Sequence, residues 1–293
     1  MNILSKKIIL GTAQLGMKYG ITNDNNKPSS VQAHNILDFA YKNGIKFLDT
    51  AINYGDSQAL IGSFRKQSPF HISTKIPLIN LNKAHRNIRD EVTKSLLELR
   101  VKCIDCCFLH STEQLLSDDG EIIWDCMRSL KEEGLIKKIG FSVYDPDEIT
   151  SALRKKFIPE CIQLPVNLFD NRFEKSGLLD RLHALDIEIH ARSIFLQGLL
   201  LKTSQSLPAH FKKWSTLWDS LDLFLDSNHL DRYQYLLEYI LRDHRVSKII
   251  IGISSLAELH YLINNIDKLP LKEFKYFSLP QVDEELIDPR KWN

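Results

Sequence analysis

Short apolar runs recur along the chain, each followed by a longer stretch whose apolar residues return every three or four positions. Eight such runs can be read: KIILGTA, IKFLDT, FHISTK, IDCCFLH, IKKIGFS, ECIQLPV, IEIHARS and SKIIIG. Runs of this length predict buried strands, and the intervening period predicts helices, as in Ile88, Val92, Leu96 and Leu99 of HRNIRDEVTKSLLELR. Helix boundaries follow the same reading. Ser29 and Ser30 precede the first helix, Gly44 and Gly134 stop the first and fourth, and Pro146 stands near the start of the fifth, where its missing N–H costs little. Strand and helix alternating eight times predict an α/β fold, a closed (β/α)8 TIM barrel, in preference to an open doubly wound sheet. No GxGxxG follows any strand, since the first run leads into GTAQLGMKYG, and there is no Walker A sequence. No linker rich in Pro, Gly or Ser divides the chain, so a single domain is expected over residues 1–293. The longest expected irregular stretch runs from Phe195 to about Asn228 after the seventh strand, a length that suggests a lid.

Composition narrows the classes of function. Hydrophobic residues make up 43% of the 293 positions, enough for a large core, and 38 basic residues nearly balance 37 acidic ones. No global field would draw such a chain to nucleic acid or to an anionic membrane. No segment approaches the length of a membrane span, and the start MNILSKKIILG is too short in its apolar part for a secretory leader, so a cytoplasmic protein is expected. The cysteines agree with this. Cys103, Cys106, Cys107, Cys126 and Cys161 lack a second paired cluster, so buried free thiols are expected in place of a metal site.

Candidate chemistry lies at the ends of the apolar runs. Thr12, Asp49, Lys75, His110, Ser142, Gln163, Asn167, Arg192 and Ser193 all fall at expected carboxyl ends of strands, which in a barrel face one site. Any one of them could be an ordinary polar residue near a strand end. Packing alone would not place so many ionisable groups at the same end of successive strands.

The ordered set Asp49, Tyr54, Lys75 and His110, with DTAINYG as its strongest motif, resembles the catalytic tetrad of the aldo/keto reductases, and the likeness runs from ILGTAQLG to IIIG. The resemblance implies a nicotinamide-dependent oxidoreductase reducing an aldehyde or ketone, such as a sugar or small metabolite, with Tyr54 as general acid. Asp49 would hold Lys75, Lys75 would lower the phenolic pKa of Tyr54, and His110 would orient the carbonyl oxygen. Cofactor contacts carry over to Gly11, Thr12, Asp49, Ser142, Gln163, Ser193 and Leu196. Three departures accompany them. Val143 stands where the family has Asn, Val166 where it commonly has Tyr, and Arg192 where a tyrosine stacks on the nicotinamide ring. Gly252, Ser254 and Glu258 occupy the positions of basic residues that hold the extra phosphate of NADP. Family habit still favours NADP, with NAD admitted. Ile52, Asn53, Trp214, Trp218 and Trp292 are candidate walls for a small carbonyl substrate, the only partner expected, although packing of the loop onto the barrel is the more ordinary role for Trp214 and Trp218, and Trp292 could equally pin the tail; oligomeric state is not legible. Two other readings remain open: a nicotinamide-binding regulatory protein with little turnover, and a Schiff-base aldolase using Lys75.

Overall fold

The computed structural model describes residues 6–23, 26–64, 69–79, 84–266, 268–269 and 273–292. The first five residues of MNILSKKIILG and the final residue lie outside them. Eight parallel strands follow in chain order around a closed barrel. They are β1 (Ile8–Gly11), β2 (Phe47–Asp49), β3 (His71–Ile76), β4 (Ile104–Leu109), β5 (Ile136–Ser142), β6 (Cys161–Pro165), β7 (Glu188–Arg192) and β8 (Lys248–Gly252). Gly11 of β1 stands in register with Asp49 of β2 on one side and Gly252 of β8 on the other, so the ring closes without an edge.

The expected helix signals act as read. Ser29 forms a reciprocal capping box with Gln32 at the start of Ser30–Lys42. Asp145 does the same with Glu148, ahead of Pro146–Arg154, whose proline fills the first helical position. Helix Ala84–Leu99 turns Ile88, Val92 and Leu99 into the main core, with Leu96 at its margin. Gly44 and Gly134 leave their helices at φ 89° and 77°, a conformation that a Cβ disfavours.

The stretch after β7 differs from the irregular lid expected of it. It folds as 3-10 turns at Leu196–Leu201, Ser204–Ser206 and Ala209–Trp214, followed by helix Ser215–Ser227. Trp214, Leu217, Trp218, Leu221 and Leu225 recur at helical spacing and build a second apolar cluster with Leu196, Phe211 and Leu286. Trp218 is fully buried and donates its indole N–H to the Leu199 carbonyl at 3.1 Å. Trp292 packs edge-on against Phe211 and donates to the carbonyls of Glu285 and Leu286, which pins the tail onto this cluster.

Phe108, Cys106 and Cys161 form a small buried cluster apart from the main core. At the start of β7 Glu188 accepts from His190 at 2.9 Å and from Lys138. Burial alone would raise the Glu188 carboxyl, but these two partners outweigh it and hold the pKa at about 2. The open end of the barrel is the opposite one, at the carboxyl ends of the strands.

Two turns meet backbone to backbone at the open end. Gly16 closes the short helix Ala13–Gly16 after β1, and a Cβ there would stand 1.9 Å from the Tyr54 carbonyl oxygen. Gly55, at φ +60°, faces the Gly16 carbonyl in return. Gly16→Ala must push the Tyr54 turn away from β1, and we expect a loss of about 1–3 kcal/mol from overpacking. A thermal or urea melt reads this directly, and an unchanged midpoint would show that the turn yields freely.

Candidate active site

The carboxyl ends of the strands surround a cleft of about 650 Å³. Its deepest polar contact joins three strands. Lys75, on β3, donates to Asp49 Oδ2 at 2.6 Å and to the Thr50 carbonyl at 3.0 Å, while Gln163, on β6, donates its amide to the other Asp49 oxygen. The side chains of Lys75 and Asp49 are only 2% and 4% exposed, so this is a buried ion pair whose remaining valences are met by hydrogen bonds. Tyr54 lies on the turn after β2, its ring centroid 4.9 Å from Lys75 Nζ. His110, just past β4, presents its ring edge-on to Tyr54 with centroids 6.0 Å apart, and its backbone N–H is fixed by the Ile76 carbonyl at 2.8 Å. The four residues of the expected tetrad thus line one cleft.

Ten of the eleven residues expected to touch a cofactor line the same cleft: Gly11, Thr12, Asp49, Ser142, Gln163, Arg192, Ser193, Gly252, Ser254 and Glu258. Thr12 is locked, donating to the Asp49 carbonyl at 2.8 Å and accepting from Ser57 at 2.8 Å. Leu196 is the exception. Its side chain is fully buried in the cluster beneath the β7 segment, because φ 47° turns the chain inward there. Of the expected substrate walls only Asn53 lines the cleft, since Ile52 packs on the barrel core and Trp214, Trp218 and Trp292 belong to the second cluster. Asn167 does not line it either. It braces the loop behind, donating to the Ser193 carbonyl at 3.1 Å and accepting the N–H groups of Phe169 and Asp170. That brace holds a contorted segment in which Ser193, Leu196 and Gln197 all have positive φ.

Several contributors escaped the sequence reading. Tyr144 lines the cleft with the Arg192 guanidinium stacked 4.0 Å from its ring centroid and Arg290 at 4.3 Å. Arg192 reaches it by donating to the Val143 carbonyl at 2.7 Å, so two departures from the family pattern contact one another. Tyr19 also lines the cleft, 6.5 Å from Tyr54 between centroids; an aromatic residue near glycines in GMKYG was the available signal. The loops after β1 and β7 join as well. Thr22 donates to the Gln197 carbonyl at 2.9 Å, and the Ile21 N–H donates to the Gln197 side chain at 3.2 Å.

With this geometry in view, the comparisons with known proteins are unambiguous at the level of family. The family model for the aldo/keto reductase family matches residues 7–283, and the chain belongs to that family, whose members are oxidoreductases. It is similar to D-arabinose 1-dehydrogenase of Saccharomyces cerevisiae, 30% identical over 153 residues that span 49% of this chain and 44% of that enzyme. It is also similar to the uncharacterized oxidoreductase YqkF of Bacillus subtilis, 26% identical over 83% of this chain and 86% of that protein. The fold matches that of aldo-keto reductase AKR11C1 from Bacillus halodurans with a TM-score of 0.71 at 20% identity, covering 96% of this chain and 89% of that one. No described helix is long and apolar enough to cross a membrane.

Electrostatics set the protonation states of the cleft. Burial pushes the Tyr54 phenol well above its usual range, and the Asp49 carboxylate adds to the shift; the cation that opposes them is Arg192. The Lys75 ammonium, 4.9 Å from the ring centroid, is directed at Asp49 and Thr50, so burial sets the net direction. Burial also lowers Lys75, against the raising effect of Asp49. Tyr19 is pushed up to about 12, again mainly by burial. His110 is pulled down to about 4 by burial, with the positive charge of Lys75 next. In the unfolded chain it would take a proton near its ordinary value of about 6.5. Its contribution to stability is therefore complete above about pH 6.5 and is lost as the pH falls toward about 4. We expect the His110 ring resonances to titrate near pH 4 by NMR, and a midpoint near 6.5 would mean that the imidazole is solvated and cationic in mild acid.

Proposed function

We propose that this chain is a nicotinamide-dependent carbonyl reductase that converts an aldehyde or ketone to an alcohol. The observation that carries the reading is the convergence of Tyr54 and His110 over the buried Lys75–Asp49 pair in one cleft. The residues present also fit the nicotinamide. Gln163 Oε1 is buried without a hydrogen-bond partner among the described residues, and an unpaired acceptor of this kind costs about 1–3 kcal/mol. A carboxamide NH2 would satisfy it, with Ser142, its register neighbour on β5, beside it in the cleft. Gly11 and Gly252 leave bare backbone between β1 and β8, where a Cβ on Gly252 would fall 2.4 Å from Gln14. When bound, the nicotinamide supplies hydride to the carbonyl carbon.

The chain's own residues handle the oxygen. Neutral His110 donates a hydrogen bond to the carbonyl oxygen and aligns it. Tyr54, fully protonated at neutral pH, gives its phenolic proton to the same oxygen as negative charge develops. The phenolate left behind is stabilised by two cations, Lys75 beneath its ring and Arg192 across the cleft. Asp49 positions Lys75, and in doing so commits the ammonium to a carboxylate and a carbonyl, which supports a supporting role for Lys75 over Schiff-base chemistry.

A screen of small aldehydes, ketones and free sugars for oxidation of NADH and NADPH tests the reading; the arabinose dehydrogenase among the relatives supports including sugars. Tyr54→Phe should retain cofactor binding and lower kcat by about 10²–10⁴-fold, the usual worth of a general acid. Unchanged turnover would sink the acid role, and an absence of turnover with every substrate despite cofactor binding would favour the regulatory reading. Lys75→Met should lower kcat with little change in cofactor affinity, and borohydride added with substrate should leave no adduct on Lys75.

A further inference from the structure

We infer that Glu258 makes the cleft select NAD(H) over NADP(H), an inference that rests on the nicotinamide-dependent reading above. Glu258 lines the cleft with Gly252 and Ser254 just beyond β8. Two contacts hold its carboxylate there, and a third fixes its backbone. Oε2 accepts the Ser254 backbone N–H at 2.8 Å, Oε1 accepts the Ser254 hydroxyl at 2.7 Å, and the Glu258 N–H donates to Ser255 Oγ at 3.2 Å. The first turn of helix Leu256–Ile266 would be a natural place for an external anion, but the carboxylate of the chain already takes the donors that Ser254 could offer.

No compensating charge is at hand. Among the described residues lining the cleft the only Lys or Arg side chains are Lys75 and Arg192. Lys75 is committed to Asp49, and Arg192 reaches toward Val143 beside β5, away from β8. The 2′-phosphate of NADP would bring about −1.5 to −2 charges, and only acceptor oxygens, up to a carboxylate. The 2′-hydroxyl of NAD is a donor instead. An ionised carboxylate has about four acceptor sites, so Glu258 keeps capacity for a ribose hydroxyl after serving Ser254. A carboxylate reading the ribose of NAD is the same physical solution that open dinucleotide-binding sheets adopt. Family habit points the other way, to NADP.

Calorimetric titration of the full-length protein decides the matter without reference to turnover. NADH should bind at least about tenfold more tightly than NADPH, equivalent to ~1.4 kcal/mol. The fragments ADP and adenosine 2′,5′-bisphosphate should rank in the same order. Glu258→Gln, which removes the charge and keeps the reach, should strengthen NADPH and narrow the ratio at least about threefold. Equal or tighter binding of NADPH to the wild-type protein would overturn the proposal while leaving the reductase reading intact, as would an unchanged ratio in folded Glu258→Gln. Should that variant lose its fold by circular dichroism, Glu258→Ala and the wild-type fragment pair carry the decision. Failure of all four ligands to bind would overturn both readings together.

Discussion

The buried contact between Lys75 and Asp49 is the constraint around which the open end of the barrel is arranged. Two opposite charges are taken almost wholly out of water, which is tolerable only because Gln163 and the Thr50 carbonyl satisfy what the pair leaves over. Removing one partner would strand the other, at a cost of about 3–5 kcal/mol. Three strands are tied by this single contact, and the turn bearing Tyr54 begins directly after one of them. The turn that carries Tyr54, the proposed acid, and the Gln163 amide are therefore anchored to the same ion pair.

The cleft is polarised along its length. Around His110 burial, with the charges of Lys75 and Arg192, keeps the imidazole neutral, and Arg192 opposes the rise of the Tyr54 phenol. At the opposite end the charged residue is Glu258. Arg192 has a second part in this, because its guanidinium bridges the Val143 carbonyl and the face of Tyr144, joining the mouths of β7 and β5. A tyrosine at position 192 would supply a flat ring and no charge. The exchange for arginine thus alters the field at the acid itself, not only the surface against which a ring could lie.

The fold was legible because its determinants are local and repeated: eight apolar runs, helical period between them, and boundary signals at Ser29, Pro146, Gly44 and Gly134. The convergence of Asp49, Tyr54, Lys75 and His110 on one cleft was legible for a related reason, since the carboxyl ends of all the strands of a closed barrel share one face. What failed depended on how segments fold over one another. Trp214 and Trp218 pack as the more ordinary of their two readings had it, but the segment was read as irregular, although their spacing with Leu217, Leu221 and Leu225 is that of a buried helical face and was present in the sequence to be counted. Leu196 lost its expected contact to an unusual backbone turn, which no propensity of leucine announces. Tyr144 became part of the site through Arg192 and Arg290, residues 48 and 146 positions away, a pairing visible only in three dimensions. The burial that raises the Tyr54 phenol was not legible either, because it is not a property of sequence neighbours.

In a closed barrel β7 and β1 are the two neighbours of β8, so the hydrogen bonds from Thr22 and Ile21 to Gln197 form a bridge across the end of β8. An elongated molecule seated along that strand passes beneath the bridge and cannot lift straight out while both bonds are made. Occupancy and bridge closure are then linked quantities: whatever factor the closed bridge adds to a ligand's affinity, the ligand returns to the closed bridge.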